Sequence, residues 1–253
     1  MFCAFDAMHS NDVAYGGDCV SHLTNNNVIM KPTPPEAIIF DLDDTLIDWW
    51  GSIDRCLTSF ASPEFTASLQ NYCIEACWHR HEEHGYVVQR DTWKLHEFRH
   101  DHWPLALRHI DESARIALMQ KFSELLWVGF FDDVESTLDA LVSTQRVALL
   151  SNNPHLDKEV RRLELSRWFT HTMSAAHTTP KPHVGAFHDA CKMLDVDPSR
   201  TWYVGDSIRA DAHGALAAGL TPIWVDRWND QWINRPREVV RISQLSDLLT
   251  LID

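Results

Sequence analysis

Three carboxylates stand within four positions of the chain, Asp41, Asp43 and Asp44, with Thr45 directly behind them. Carboxylates this close repel one another unless a cation or a ligand offsets their charge. Two readings fit the cluster taken by itself. It is either an acidic loop or helix cap, or a metal-assisted site for an anionic substrate with a carboxylate available as nucleophile. The run before it, Ala37-Ile38-Ile39-Phe40, is apolar and too short for a helix, so it predicts a buried strand. In open parallel sheets ligands bind beyond the carboxyl ends of the strands, which is where the acidic cluster falls.

Similar polar groups recur farther along. Ser151 and Asn152 follow the apolar run 147–150, and Asp206 follows the run 201–204 after Gly205. Lys181 stands between Pro180 and Pro182, and the two prolines restrict the backbone on either side of it. A single lysine is ordinarily a solvated surface residue, but this one shares its edge of the sheet with the acidic groups. Asp211, five residues after Asp206, reads equally as a helix-capping carboxylate and as a group that orients Lys181 or a metal shell.

The elements that must position these groups alternate. From Asp132 onward the spacing predicts a helix over 134–143, a strand over 147–150, a helix over 156–165 and a weak strand over 171–175. A helix through Phe187 and Leu194, a strand over 201–204, a helix over 210–218 and a strand over 222–225 follow. Residues 239–251 predict a final strand and helix. Strands alternating with helices imply a parallel sheet wound on both faces. Between Gly51 and Phe131 helical spacing dominates instead, as in Phe65, Leu69, Tyr72, Cys73 and Ala76, so a module of about four helices is expected there.

Composition sets the outer bounds. The 253 residues are 45% hydrophobic and 23% charged, enough for a sizeable core. A formal net charge of -14 disfavours nucleic acid as a partner, since such binding relies on lysine and arginine clusters. The six cysteines form no secreted-domain framework and suggest reduced thiols. No apolar run approaches the roughly 20 residues of a membrane span. A cytoplasmic protein without a membrane partner is expected, and its oligomeric state is unreadable from the sequence. Residues 1–35, with Gly16-Gly17, Asn25-Asn26-Asn27 and the Pro32–Pro35 group, read as a loosely ordered arm without secretory-signal character.

In order along the chain, these stretches resemble the four motifs of the haloacid dehalogenase (HAD) superfamily over roughly residues 36–226. Phe40-Asp41-Leu42-Asp43-Asp44-Thr45 is similar to the first motif and Leu149-Leu150-Ser151-Asn152 to the second. Lys181-Pro182 is similar to the third, and Val204-Gly205-Asp206-Ser207-Ile208-Arg209-Ala210-Asp211 to the fourth. The resemblance implies an α/β fold, a doubly wound Rossmann-like parallel core over 36–50 and 132–253, with an inserted α-helical cap over 51–131. It also implies the roles. Asp41 would be the nucleophile, Asp43 the group that protonates the leaving oxygen and later takes a proton from water, and Lys181 the counter-charge. Ser151, the Asn152 backbone N–H and Thr45 would contact phosphate, although a turn role is equally open for Thr45. Asp44 reads as structural, and Asp211 as a supporting group. Magnesium, suited to an all-oxygen site, would be held by the Asp41 and Asp206 carboxylates and the Asp43 backbone carbonyl.

The implied activity is magnesium-dependent hydrolysis of a small phosphomonoester through an aspartyl-phosphate. A phosphomutase or a 2-haloacid dehalogenase is the alternative within the superfamily, and a non-catalytic HAD-like binding protein the alternative outside enzymology. Asp43 favours phosphoryl chemistry, because a halide leaves without protonation. Residues 96–107 are loosely similar to the cap segment of N-acylneuraminate-9-phosphatases and of nucleotidase-like and flavin-precursor phosphatases. Phosphorylated sugars, nucleotides or flavin-type phosphates are therefore the expected substrates. Seven histidines between 79 and 109, with Cys73 and Cys77, could hold a soft metal, but the two cysteines equally fit the apolar face of a helix. Trp49 and Trp50 could meet substrate at the cap hinge, while Trp224, Trp228 and Trp232 read as packing.

Overall fold

Four residues without a polar side chain, Ala37–Phe40, form strand β1, and all four are fully buried. The computed structural model describes residues 32–60, 111–230 and 232–252. Within them β1 lies between β2 (Arg146–Ser151) and β4 (Thr201–Gly205) in a six-stranded sheet. The others are β3 (Thr172–Ser174), β5 (Thr221–Val225) and β6 (Val240–Ile242), in the order β3-β2-β1-β4-β5-β6. Every pairing is parallel. The strands are apolar almost throughout because both faces of the sheet are covered.

Side chains alternate across a strand, and β1 sorts its neighbours accordingly. Ile38 and Phe40 enter one layer with α3 (Val134–Leu141), α4 (Leu156–Arg162) and α7 (Asp247–Ile252), through Leu138, Leu156 and Leu248. Ala37 and Ile39 enter the opposite layer with α5 (Val184–Leu194) and α6 (Gly214–Ala217), where Phe187, Ala190 and Ala215 meet Tyr203 of β4. Phe187 packs edge-on to the Tyr203 ring at 4.9 Å. The expected doubly wound α/β core is present.

Two helices flank the undescribed stretch 61–110: α1 (Trp49–Phe60) before it and α2 (Glu112–Leu125) after it. Asp48 caps α1 by accepting from the Gly51 N–H at 2.9 Å. The chain leaves and rejoins the core as a short antiparallel ribbon. Asp48 N donates to Gly129 O at 2.9 Å and Phe131 N to Leu46 O at 3.1 Å, with Ile47 opposite Phe130. Arg227, in the loop after β5, clamps this ribbon. Its guanidinium donates to Thr45 O at 2.8 Å and to Asp133 at 3.1 Å, and lies 3.8 Å over the Phe131 ring.

The predicted helix boundaries shift at three places. The helix predicted over 134–143 closes at Leu141, and the one over 156–165 closes at Arg162 before a tighter turn at Leu165–Arg167. The helix predicted from 210 begins at Ile208 as a widened turn, with Ala212 N reaching Ser207 O at 3.1 Å. Such widened turns occur where a side chain is needed at a site, and Asp211 sits in this one. Cys73, Cys77, the histidines 79–109, the segment 96–107, the arm up to Lys31 and the Trp50 side chain lie outside the described residues. Trp49 is half-buried against the core. Among the described residues no helix is long and apolar enough to cross a membrane.

Candidate active site

Asp41 continues the β1 ladder by one residue, its N–H donating to Val204 O at 2.9 Å. Its side chain therefore follows Ala37 and Ile39 onto the α5 face. Tyr203 stands beside Ile39 in register and faces the same way. The Lys181 loop enters that layer just ahead of α5, and the ammonium meets three oxygens there. They are Asp41 Oδ1 at 2.7 Å, Asp211 Oδ1 at 2.6 Å and the Tyr203 hydroxyl at 2.6 Å. An ammonium has three donors, and all three are engaged. Lys181 is 5% exposed, Asp41 7% and Asp211 1%, so these are buried ionic contacts.

The loop is fixed from its backbone as well. Asn152 forms a two-point amide clasp on Lys181, Nδ2 donating to its carbonyl and Oδ1 accepting from its N–H, both at 2.9 Å. The Asn152 side chain is thus spent on the Lys181 loop, and only its backbone remains to face a ligand. Asp211 both caps and orients. Its Oδ2 accepts from Ser207 N at 2.9 Å while its other oxygen takes the lysine. Gly205 makes room for this: a Cβ there would stand 2.4 Å from the Asp211 carboxyl.

Electrostatics follow from the crowding. Burial pushes the Asp41 carboxyl well above its usual range; Lys181 opposes this, while Asp211, Asp43 and Asp206 reinforce it. Burial alone would lower the Lys181 ammonium, but Asp211 and Asp41 outweigh it and raise the group above an ordinary lysine. Burial, then Asp211 and Asp41, raise the Tyr203 phenol too, so it stays neutral and donates to Leu150 O at 2.9 Å. Among the described residues, four carboxylates thus gather near Lys181. Oxygens of Asp41, Asp206 and Asp211 lie within 4.8 Å of one another. Hard anionic oxygens gathered this closely fit a divalent oxygen-seeking cation such as magnesium.

The remaining groups stand around the same strand ends. Ser151 Oγ accepts from Asn153 N at 3.1 Å, and Thr45 Oγ1 accepts from Asp206 N at 3.0 Å. Each hydroxyl keeps its own hydrogen for donation. Asp44 occupies the left-handed region, φ 59°, as the turn residue behind β1. Asp43 is half-exposed at the rim, and Asn153 Nδ2 donates to both its oxygens, at 3.3 and 3.2 Å. Trp224 Nε1 donates to Asp206 O at 2.9 Å. Sequence reasoning passed over Tyr203, Asn153, Trp224 as a site residue, and Arg227. Only Tyr203 left a signal, as a polar hydroxyl inside a predicted buried strand; the structure places it in register with Ile39 and on the face of Asp41.

A doubly wound sheet with buried carboxylates and a lysine at its carboxyl edge defines a class, and comparison agrees. The haloacid dehalogenase-like hydrolase family model matches residues 35–219, and the chain belongs to that family of hydrolases. The N-acylneuraminate-9-phosphatase of Mus musculus is 24% identical over 217 residues, covering 76% of this chain and 82% of the relative. Among solved structures, a HAD-hydrolase from Bacillus subtilis bound to magnesium shares the fold with a TM-score of 0.68 at 19% identity, over 87% of this chain and 100% of the other. A 2-haloacid dehalogenase from Pseudomonas syringae pv. Tomato DC3000 gives 0.54 at 24% identity, over 86% and 98% of the two chains. At these identities the two structures speak for the fold alone.

Proposed function

We propose that the chain is a magnesium-dependent phosphatase that hydrolyses small phosphomonoesters through an aspartyl-phosphate on Asp41. One observation carries this reading: a buried carboxylate held by Lys181, with a second carboxylate two residues along at the accessible rim. An Asp41 oxygen attacks phosphorus, the bond to the leaving oxygen breaks, and Asp43 gives that oxygen its proton. In the second half a water attacks the phosphoryl group, Asp43 takes the water's proton, and the Asp41–phosphorus bond breaks to release inorganic phosphate. A halide leaving group would need no such proton, so an acid at 43 favours phosphoryl transfer over dehalogenation. The similarity to N-acylneuraminate-9-phosphatase supports the same choice.

Lys181 contributes charge to the phosphoryl group, since its three donors already serve protein oxygens. Hydrogen bonds to the phosphoryl oxygens come from the Ser151 and Thr45 hydroxyls and the Asn152 backbone N–H. Magnesium would be held by the Asp41 and Asp206 carboxylates and the Asp43 carbonyl, with Asp211 retained by Lys181. When bound it neutralises phosphate charge. We assign the substrate to the phosphorylated sugars, nucleotides or flavin-type phosphates of the cytoplasm, without a nucleic-acid or membrane partner, and residues 51–131 to a cap that selects among them.

The test is hydrolysis of para-nitrophenyl phosphate and of a panel of sugar, nucleotide and flavin phosphates by purified protein. Turnover with magnesium, abolished by a chelator and restored by adding the metal back, is expected. Absence of turnover on every phosphate, or halide release from 2-haloacids without magnesium, overturns the reading.

A further inference from the structure

Thr45 follows Asp44, the left-handed turn residue, and the short bonds of that turn fall on either side of it. Asp44 N donates to Ile47 O at 2.8 Å and Leu46 N to Leu42 O at 2.9 Å, while Thr45 N reaches Leu42 O only at 3.4 Å. Thr45 is nevertheless fully buried, and its carbonyl is held by a residue 182 positions away: Arg227 Nη2 donates to it at 2.8 Å. Arg227 is itself held on two further sides. Its Nη1 donates to both Asp133 oxygens, at 3.1 and 3.3 Å, and the guanidinium lies 3.8 Å over the Phe131 ring. Asp133 also accepts from Leu245 N, so the anchor of the fork is tied to the core independently of Thr45.

We infer that Arg227 is a positioning residue for phosphate, its fork fixing the Thr45 peptide and through it the Thr45 hydroxyl. The inference rests on the phosphatase reading, which assigns that hydroxyl to a phosphoryl oxygen. A tie between the ribbon and the core would not by itself call for a charge, because buried ion pairs are often replaced by apolar residues of similar volume without loss. A carbonyl, however, can be aimed only by a donor. A guanidinium presents its donors in a rigid planar fork, so with Asp133 on one nitrogen and Phe131 under its face the other nitrogen has one direction left. Thr45 is β-branched and has few side-chain rotamers, so a fixed peptide leaves its hydroxyl little freedom. That hydroxyl accepts from Asp206 N at 3.0 Å and keeps its hydrogen for the ligand. Carbonyl and hydroxyl of one residue are thus held from two loops, those after β5 and β4.

The role predicts that Arg227 matters to turnover only while Thr45 carries its hydroxyl. In Arg227→Met, kcat/KM on para-nitrophenyl phosphate should fall about 10- to 30-fold, part of the roughly 10²–10³ that one well-aimed donor contributes, and inhibition by inorganic phosphate should weaken at least about threefold. Thr45→Val should lose about as much. Arg227→Met added to Thr45→Val should then cost less than about threefold more, since the group it positions is gone. Arg227→Lys keeps the charge without the fork and should retain most of the loss; if Arg227→Met does not fold, the same cycle is read with Arg227→Lys. Asp133→Asn removes the ion pair but leaves Arg227 an acceptor, so it should lower the thermal midpoint while kcat/KM stays within about threefold of the unsubstituted protein. Equal losses from the Arg227 change in the two backgrounds, no loss in either, full activity in Arg227→Lys, or a loss in Asp133→Asn as large as in Arg227→Met would overturn the role of Arg227 and leave the phosphatase reading standing. An unsubstituted protein inactive on every phosphate of the panel removes both.

Discussion

On the inner side of the site, Asp41 is sealed under the sheet edge and gripped by a lysine that also holds Asp211 and Tyr203. At the rim, two residues along the same strand end, Asp43 is half-exposed and touched by a neutral amide. The first arrangement resists motion and stores like-charge repulsion that a cation would relieve. The second ties the strand end to the loop after β2 through an amide. In the mechanism proposed above, a nucleophile and a proton-transfer acid ask for different supports, and the two positions of this pleat would offer them.

The sharpest way to break this contrast is Asp41→Asn. It should reduce turnover by at least about 10³-fold, the scale of losing an essential nucleophile. The same change should leave the thermal midpoint of the metal-free protein unchanged or raised, because it removes one of four crowded carboxylates. A melt alongside the assay checks both. Lys181→Met attacks the inner side from the other partner. It strands Asp41 and Asp211 without a cation and should cost roughly 3–5 kcal/mol in urea unfolding. Asp211→Asn added to it should cost less than the sum of the two single changes, as a double-mutant cycle would record.

Gly205→Ala tests the same grip through the backbone. The added methyl must displace the Asp211 carboxyl and with it the Lys181 ammonium it holds, and a misplacement approaching 1 Å passed on to the reacting geometry costs on the order of 10²-fold. A fall of about 10- to 100-fold in kcat with little change in KM is expected from initial rates. Trp224→Phe is the mildest. It removes the indole donor on Asp206 O and should cost about 1–2 kcal/mol of stability, with turnover reduced only a few-fold.

Much of this was legible before any coordinates. The strands were readable because each is a short apolar run ended by a polar group, and the sheet order then brings Asp41, Ser151 and Asp206 to one edge. Lys181 was readable from its flanking prolines. The helper residues were not. Asn153 and Arg227 act on partners 110 and 182 positions away, and nothing in local spacing says which loop faces which. The widened turn at Ile208 was missed because helical periodicity does not distinguish a turn of five residues from one of four. Trp224 looked like core because it is core; the indole N–H that also holds Asp206 adds no separate mark to the sequence.

The ribbon of residues 46–48 and 129–131 has a consequence of its own. The chain departs from the sheet and returns to it through one doorway, whose two jambs are hydrogen-bonded to each other and latched by Arg227. Helix α1 leaves from one jamb and α2 leads back towards the other, so the two ends of the stretch between them already lie side by side. Closing a longer or shorter connection across such ends costs only a logarithmic entropy term. A change of length between α1 and α2 is thus expected to leave the jambs paired and the strand ends beside them in place. If that stretch selects the substrate as proposed, selection can rewrite which molecule is admitted without renegotiating how it is broken.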